Sequence, residues 1–345
     1  MSRAATAPPE PAPTLAGFQD EFERAARAAG GTVDLRLTVA GSAVRIRFAG
    51  AAAAEALGRA FAHLVTGDDE PASLTLHVWD CDAEPAETTT SWAGASYFYD
   101  EPGFLALHQP ATDVLSVLAA DGDVGWYRMP DATRLPFWEY TAPFRHLLGW
   151  WLDAQGCRQV HGGAVGTEAG GVLVVGPGGS GKSTTAVASL LDERLRYAGD
   201  DYVAVGGDRD PVVHSLYCSA KVRHEDMHRL PNLVPELAAG DRADEKAVFY
   251  LATALPGRSI SEFPLRAIVV PRLTDRRTAR VLPGTRSAAL AALAPSTIFQ
   301  LHPPGGAALA DLAQLVRTVP SFVLELGADV ETIPRELVRL LEQLP

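Results

Sequence analysis

The strongest constraint on the fold of this chain is a glycine-rich loop at residues 176–183, which matches the pattern G-x-x-x-x-G-K-S. An apolar run at residues 172–175 precedes the loop, and a helix-favouring stretch at residues 184–191 follows it. Glycines let the backbone turn tightly so that successive N–H groups point inward, and the N-terminus of a helix adds partial positive charge. A strand, this loop and a helix in that order predict a phosphate-binding site in an α/β domain.

The side chains of the loop, like the backbone of the loop, are suited to bind a nucleotide. Lys182 can reach the outer phosphates, and the hydroxyl of Ser183 can hold Mg²⁺. A glycine-rich turn without a ligand is the alternative, and the complete motif between a strand and a helix disfavours it. The predicted nucleotide-binding residues are Gly176, Gly178, Gly179, Ser180, Gly181, Lys182, Ser183 and Thr184.

Two adjacent carboxylates, Asp200 and Asp201, stand at the start of a strand predicted over residues 202–205. Phosphoryl transfer needs a carboxylate that helps to hold Mg²⁺, and transfer to a hydroxyl gains from one that accepts the proton. Because neighbouring residues on a strand point to opposite sides, we expect one carboxylate to face the metal and the other the acceptor. A solvated acidic turn is the alternative, and the position after a phosphate-binding loop disfavours it.

A single histidine, His161, stands upstream of the loop and is followed by two glycines, Gly162 and Gly163. Glycines allow a backbone to approach a ligand closely, and an imidazole can contact a phosphate or an acceptor. A structural or surface role is the ordinary alternative for a lone histidine.

In their order, His161-Gly162, the glycine-rich loop and Gly199-Asp200-Asp201 resemble the catalytic core of bacterial HPr kinase/phosphorylase. The resemblance is firm over residues 156–205 and loose over residues 137–345. It implies that Lys182 binds nucleotide phosphates and that Ser183 and Asp200 hold Mg²⁺. It also implies that Asp201 accepts the proton of the acceptor. The implied catalytic residues are therefore Asp201, Asp200, Lys182 and His161.

The chain departs from that family downstream of the aspartate pair. The stretch at residues 216–221 carries no copy of the family's metal-binding glutamate and ends in Lys221. Lys221 and Lys246 could contact a phosphate or an acidic peptide. The alternative for each lysine is a solvated side chain without a ligand. Arg258 loosely resembles an arginine in a later loop of the family, but a Pro-Gly turn with an exposed arginine is the simpler interpretation.

The N-terminal half does not resemble the amino-terminal domain of the HPr enzyme. The chain is more similar to the HPr-kinase-like serine kinases found beside ribosomal-peptide clusters, including lasso-peptide clusters. Short phrases at residues 244–248 and 295–301 carry this likeness. By pattern alone, residues 295–297 are most simply the exit of a helix.

The pattern along the 345 residues predicts two domains after a tail. Residues 1–13 are rich in Ala and Pro without a signal pattern and predict a disordered tail. Residues 14–135 predict a small α+β domain that ends in an antiparallel meander. Residues 136–345 predict an α/β P-loop domain like the C-terminal domain of HPr kinase. Its predicted elements include a helix at 142–155, a strand at 265–270 closed by Pro271, a helix at 287–293 capped by Ser287, and a terminal helix at 334–344.

Composition excludes several classes of function. A net charge of −12 disfavours a broad nucleic-acid interface, and no apolar run is long enough to cross a membrane. Three separated cysteines without C-x-x-C spacing disfavour a disulfide framework or a zinc site. We therefore expect a cytoplasmic protein without nucleic-acid or membrane partners.

Aromatic residues concentrate between the two halves, where they form either the core of the first domain or a groove for a peptide. The core is favoured for most of them, and surface contact is favoured for residues 92–99. The group comprises Trp79, Trp92, Tyr97, Phe98, Tyr99, Phe104, Trp126, Tyr127, Phe137, Trp138 and Tyr140.

These patterns and the resemblance together predict an ATP- and Mg²⁺-dependent kinase that phosphorylates a hydroxyl of a peptide or small protein, with serine as the favoured acceptor. The first domain is expected to choose the acceptor. A small-molecule hydroxyl kinase on the same scaffold and a nucleotide-sensing regulatory protein stay open as alternatives. Phosphorylase activity and assembly into a homo-oligomer also stay open.

Overall fold

The computed structural model describes residues 14–81, 98–229, 246–300 and 306–344. The predicted tail, residues 1–13, lies outside them. The described residues form a mixed α/β protein with one sheet of seven strands, one of nine strands and a separate two-stranded pair. Among these residues, no helix is both long and apolar enough to cross a membrane.

The first sheet is mixed and lies in the N-terminal half. Its strands follow the order β1-β2-β3-β7-β6-β5-β4, and β3 runs parallel to both β2 and β7. The elements in chain order are α1 (Leu15–Ala28), β1 (Thr32–Val39), β2 (Ser42–Ala49), α2 (Ala51–Gly58), β3 (Leu74–Asp80), β4 (Phe98–Glu101), β5 (Phe104–Gln109), β6 (Val114–Ala119) and β7 (Val124–Met129).

The expected antiparallel meander of this half is confirmed, and a hairpin precedes it. β1 and β2 pair around Gly41, whose φ of 77° suits a glycine, and β5, β6 and β7 pair antiparallel in sequence. After β2, α2 passes directly into a 3₁₀ helix at Arg59–Leu64. The parallel position of β3 was not expected; α2 and the 3₁₀ helix supply the crossover that parallel pairing requires.

The second sheet lies in the C-terminal half. Its main path is β11-β9-β10-β16-β13-β12-β8, and β18 adds to β16 with β17 beyond it. The elements in chain order are α3 (Phe137–Thr141), α4 (Arg145–Ala154), β8 (Cys157–His161), β9 (Gly163–Thr167), β10 (Gly170–Val174), α5 (Lys182–Ala188), β11 (Arg196–Gly199), β12 (Tyr202–Gly206), β13 (Val212–Ser215), β14 (Ser219–Val222), β15 (Ala247–Tyr250), α6 (Leu251–Ala254), β16 (Glu262–Leu273), β17 (Arg280–Pro283), α7 (Arg286–Gln300), α8 (Gly306–Thr318), β18 (Ser321–Leu326) and α9 (Thr332–Gln343).

Four strands of this sheet end along one edge. β10, β16 and β18 are parallel, and β9 pairs antiparallel with both β10 and β11. β11 therefore runs in the same direction as β10, and the chain leaves both strands on the same side. The glycine-rich loop follows β10 and the aspartate pair follows β11, which places both at the edge where ligands bind in open α/β sheets.

One proline and one helix cap each account for a wrong element boundary. Pro271 does not close β16, because its nitrogen lies on the side of β10, beyond the last paired residue of β10, and no ladder bond is lost. The capping residue of α7 is Thr285 rather than Ser287, since the Thr285 hydroxyl accepts a hydrogen bond from the backbone N–H of Ala288 at 3.2 Å.

Two helices also differ from their predicted extents. Residues 295–297 are not a helix exit, because α7 continues through Pro295 to Gln300; packing of its apolar face, including Leu293, offsets the lost N–H bond. The helix predicted over residues 142–155 begins only at Arg145, because Phe144, with a φ of 59°, separates it from α3. α8 was not predicted.

The two halves share one hydrophobic core. The ring of Phe61 stacks on that of Phe144 at 5.9 Å, and the backbone N–H of Cys218 donates to the carbonyl oxygen of Ala60 at 2.8 Å. A single cluster of buried side chains runs from β1 through α4 to β15. The predicted boundary between residues 135 and 136 stays a prediction, and the contacts across it are those of a packed interior.

Of the nine residues of this aromatic group that the structure describes, five are buried as expected for core residues, and Phe137 and Trp138 are half-buried. Phe98 and Tyr99 in β4 are partly exposed, and Trp92 and Tyr97 lie outside the described residues. The buried members of the group are Trp79, Phe104, Trp126, Tyr127 and Tyr140.

His77 should make the stability of the first sheet sensitive to acid. Its ring is 6% exposed and lies between Phe22 and Trp126, with centroids at 4.5 and 6.1 Å. Burial, followed by the charges of Arg47 and Arg45, lowers the pKa of His77 from 6.5 to about 4. The unfolded chain therefore binds the proton first, and this contribution to stability is lost as the pH falls from 6.5 towards 4.

We expect the His77→Gln variant to escape this loss. Between pH 7 and pH 5, the wild-type protein should lose about 2 kcal/mol of unfolding free energy through this group, and the variant should not. Urea unfolding of both proteins at the two pH values measures the difference. Parallel pH curves for the two proteins would contradict the expectation.

Candidate active site

The glycine-rich loop connects β10 to α5, and its own Lys182 forms hydrogen bonds with the loop backbone. The ammonium of Lys182 donates hydrogen bonds to the carbonyl oxygens of Gly176 at 2.8 Å and Pro177 at 3.3 Å. Gly181 has a φ of 102°, and a Cβ there would lie 2.3 Å from Cδ1 of Leu326. No larger residue fits at this position without displacing that leucine, so the turn into α5 depends on glycine.

Lys182 is held in a buried position next to the aspartate pair. Its side chain is 7% exposed. Burial lowers the pKa of Lys182, while the nearby carboxylates of Asp201 and Asp200 oppose that shift. The ammonium therefore donates to the loop carbonyls and is also influenced by the negative charge of the aspartate pair.

The aspartate pair lies in the turn between β11 and β12. Asp200 is 2% exposed, and its Oδ2 accepts a hydrogen bond from the backbone N–H of Lys221 at 3.1 Å. Asp201 Oδ2 contacts the ammonium of the same lysine at 2.5 Å. The expectation of opposite-facing side chains on a strand is wrong: both residues precede β12, and both carboxylates contact Lys221.

His161 completes the surroundings of Asp201. Nε2 of His161 lies 3.1 Å from Asp201 Oδ1, and the ring packs against Tyr202 with centroids 5.3 Å apart. The end of β8 pairs with the start of β12, and the backbone N–H of Gly162 donates to the Asp201 carbonyl oxygen at 3.0 Å. This pairing holds the histidine beside the aspartate.

The two aspartates have opposite electrostatic environments. Burial raises the pKa of Asp200, and the charge of Lys221 only partly opposes this. Burial also acts on Asp201, but there the charge of Lys221 and the hydrogen bond from His161 outweigh it and lower the pKa. Asp201 is thus ionised at neutral pH.

One cavity collects these groups. It has a volume of about 410 Å³ and is lined by His161, the aspartate pair, Lys221, Lys246 and most of the predicted loop residues, but not by Gly176 or Ser180. Arg223 and Asp226, which sequence reasoning missed, also line it. Both follow β14, and no local motif distinguishes them, since only the docking of Lys221 on Asp200 brings this segment to the site.

Arg258 has a structural position instead. Its Nη2 lies 2.9, 2.8 and 3.2 Å from the carbonyl oxygens of Leu190, Asp192 and Leu195. These contacts close the turn after α5, and Arg258 does not line the cavity of the aspartate pair.

The cavity offers few protein ligands for a metal. Within the described part of the chain, no group of three or more His, Cys, Asp or Glu residues could hold an ion. Oδ1 of Asp200 is nevertheless buried without a hydrogen-bond partner, and Ser183 lines the same cavity. One carboxylate and one hydroxyl fit Mg²⁺, which usually takes its other ligands from water and substrate phosphates.

Comparisons with known proteins give one structural likeness, and it is weak. No known protein family matches it. No curated protein matches it either. Among solved structures, it is similar to the HPr(Ser) kinase/phosphatase from Coxiella burnetii, with a TM-score of 0.28 and 10% identity over 54% of this chain and 96% of that chain.

Proposed function

We propose that this protein is an ATP- and Mg²⁺-dependent kinase that transfers the γ-phosphate to a hydroxyl group, with a serine of a peptide or small protein as the acceptor. One observation carries the proposal: the glycine-rich loop, with Lys182, and the aspartate pair line the same cavity of about 410 Å³. A donor site and a carboxylate suited to activate a hydroxyl thus meet in one place.

On the donor side, the loop backbone and Lys182 would bind the phosphates. The lysine now donates to two loop carbonyls, and a phosphate over the loop would offer it a stronger, charged acceptor. Ser183 and the unpartnered oxygen of Asp200 would hold Mg²⁺. When bound, the ion would supply positive charge that offsets the charge of the phosphates.

On the acceptor side, Asp201 would accept the hydroxyl proton. Its carboxylate is ionised, and His161 and Lys221 hold one oxygen each. An incoming hydroxyl would displace one of these contacts and donate its hydrogen bond to the freed oxygen. The other contact would keep the carboxylate oriented towards the loop.

Mass spectrometry can test the proposal with ATP and Mg²⁺, a serine-containing peptide and free serine. Phosphopeptide formation that requires Mg²⁺ supports it. Labelling of free serine alone would point to the small-molecule kinase instead. Binding of ATP without any phosphorylated product would favour the nucleotide-sensing protein.

Lys182→Ala should weaken nucleotide binding about tenfold or more, because a charge-assisted contact to phosphate is lost. Isothermal titration with ATP measures this. Arg209→Ala is the matched control, since Arg209 is an exposed cation in the turn after β12 and does not line the cavity. Equal ATP affinity for the wild type and the Lys182 variant would mean that the loop does not bind the donor.

A further inference from the structure

The glycine-rich loop divides its cavity into an ionic side and an apolar side. Along the sheet edge, β11 lies on one side of β10, and β16 and β18 lie on the other. The aspartate pair follows β11, so the charged side chains gather there. The chain ends of β16 and β18 bring Leu273 and Leu326 to the opposite side.

The apolar side continues from these two leucines into the start of α9. Leu273 and Leu326 are neighbours in the parallel register of β16 and β18, and Leu326 also packs on Gly181 of the loop. Gly327, Val330 and Ile333 extend the wall. Among the described lining residues that follow β16 and β18, none carries a polar side chain.

Leu273 is exposed without an evident structural reason. It is 68% exposed, more than any other large hydrophobic residue in the described part of the chain, and it alone among the exposed ones lines this cavity. Apolar surface beside a phosphate-type loop is expected to be covered by a ligand, because ligand sites combine apolar walls with a few polar groups.

We propose that the base of the donor nucleotide lies on this apolar side, against Leu273 and Val330. The inference rests on the proposed function. Transfer requires the terminal phosphate to face Asp201 on the ionic side, so a triphosphate lying across the loop directs its nucleoside towards β16 and β18. The flat face of a purine matches an apolar wall, and the wall is continuous with the loop.

Weak selectivity for the base follows from the same geometry. A site that hydrogen-bonds a ligand group rejects analogues lacking it by large factors, whereas an apolar wall discriminates weakly. No lining side chain on the described apolar side can read the base edge. The protein is therefore expected to bind ATP and GTP with affinities within about tenfold of each other.

The test compares Leu273→Ser with Leu309→Ser. Leu309 lies in α8, is 47% exposed and does not line the cavity, so the two variants remove similar side chains from exposed positions. Affinities for ATP, GTP and inorganic tripolyphosphate are measured by calorimetry. Leu273→Ser should weaken ATP and GTP binding about tenfold and leave tripolyphosphate binding unchanged, and Leu309→Ser should change none of them.

Several results would overturn the inference. One is an unchanged ATP affinity in Leu273→Ser, and another is a tripolyphosphate affinity that falls as much as the ATP affinity does. A third is a difference above about a hundredfold between the ATP and GTP affinities of the wild type. A raised KM for the peptide with unchanged ATP affinity would assign the wall to the acceptor. Nucleotide binding that depends on Lys182 but not on Leu273 would refute the base site alone. Binding of neither nucleotide nor tripolyphosphate would refute the proposed function with it.

Discussion

Asp201→Asn is expected to lower the rate of phosphate transfer about a thousandfold and to change ATP affinity by less than about threefold. Asparagine has nearly the same shape, so it can keep a hydrogen bond with His161 and the packing of the turn. It cannot take a proton from the acceptor hydroxyl. The loss should therefore fall on kcat, which is measured with the peptide substrate, while calorimetry measures ATP affinity.

Asp200→Asn is the matched comparison for this variant. Asp200 has the buried, unpartnered oxygen and is assigned to Mg²⁺, so its replacement should raise the Mg²⁺ concentration needed for half-maximal rate. Asp201→Asn should leave that concentration unchanged. Transfer at the wild-type rate by Asp201→Asn would assign the proton acceptor to another group, and interchanged phenotypes would reverse the two roles.

Local patterns in the sequence predicted the parts of the fold that depend on neighbouring residues. The meander of β5, β6 and β7 follows from short apolar runs that are separated by acidic and glycine-containing turns. The glycine-rich loop could also be predicted locally, because its backbone shape is determined within eight residues. These features needed no knowledge of distant contacts.

The features that the sequence did not predict depend on packing across the molecule. α7 runs through Pro295 because the sheet covers its apolar face, and β16 runs through Pro271 because β10 ends before it. The parallel position of β3 depends on which strand it meets. None of these conditions is visible in a window of neighbouring residues.

In the candidate site, too, some residues could be predicted from local motifs and others depend on packing across the molecule. The loop, His161 and the aspartate pair were selected from motifs, and the structure brings all of them except Gly176 and Ser180 of the loop to one cavity. Lys221 was only weighed as a contact, although it is the residue that touches both aspartates. Its contacts depend on how β14 docks on the turn after β11, which spacing along the chain does not reveal.

Lys221 is expected to be as important for stability as for chemistry. Its side chain is 9% exposed and its ammonium lies 2.5 Å from a carboxylate of the acidic pair. Lys221→Met fills a similar volume but leaves Asp201 with His161 as its remaining partner. Removing one member of a largely buried ion pair costs about 3 kcal/mol, because the other charge stays desolvated.

A double-mutant cycle separates this effect from lost packing. If the cost arises from the stranded carboxylate, Lys221→Met combined with Asp201→Asn should be more stable than the sum of the single effects by about 2 kcal/mol. Arg339→Met is the control, since its pair with Glu336 lies on the surface of α9 and should contribute less than about 1 kcal/mol. Urea unfolding at pH 7 gives the unfolding free energies of the wild type, the two single variants, the double variant and the control. Additive effects of the two substitutions would mean that Lys221 stabilises the fold by packing alone.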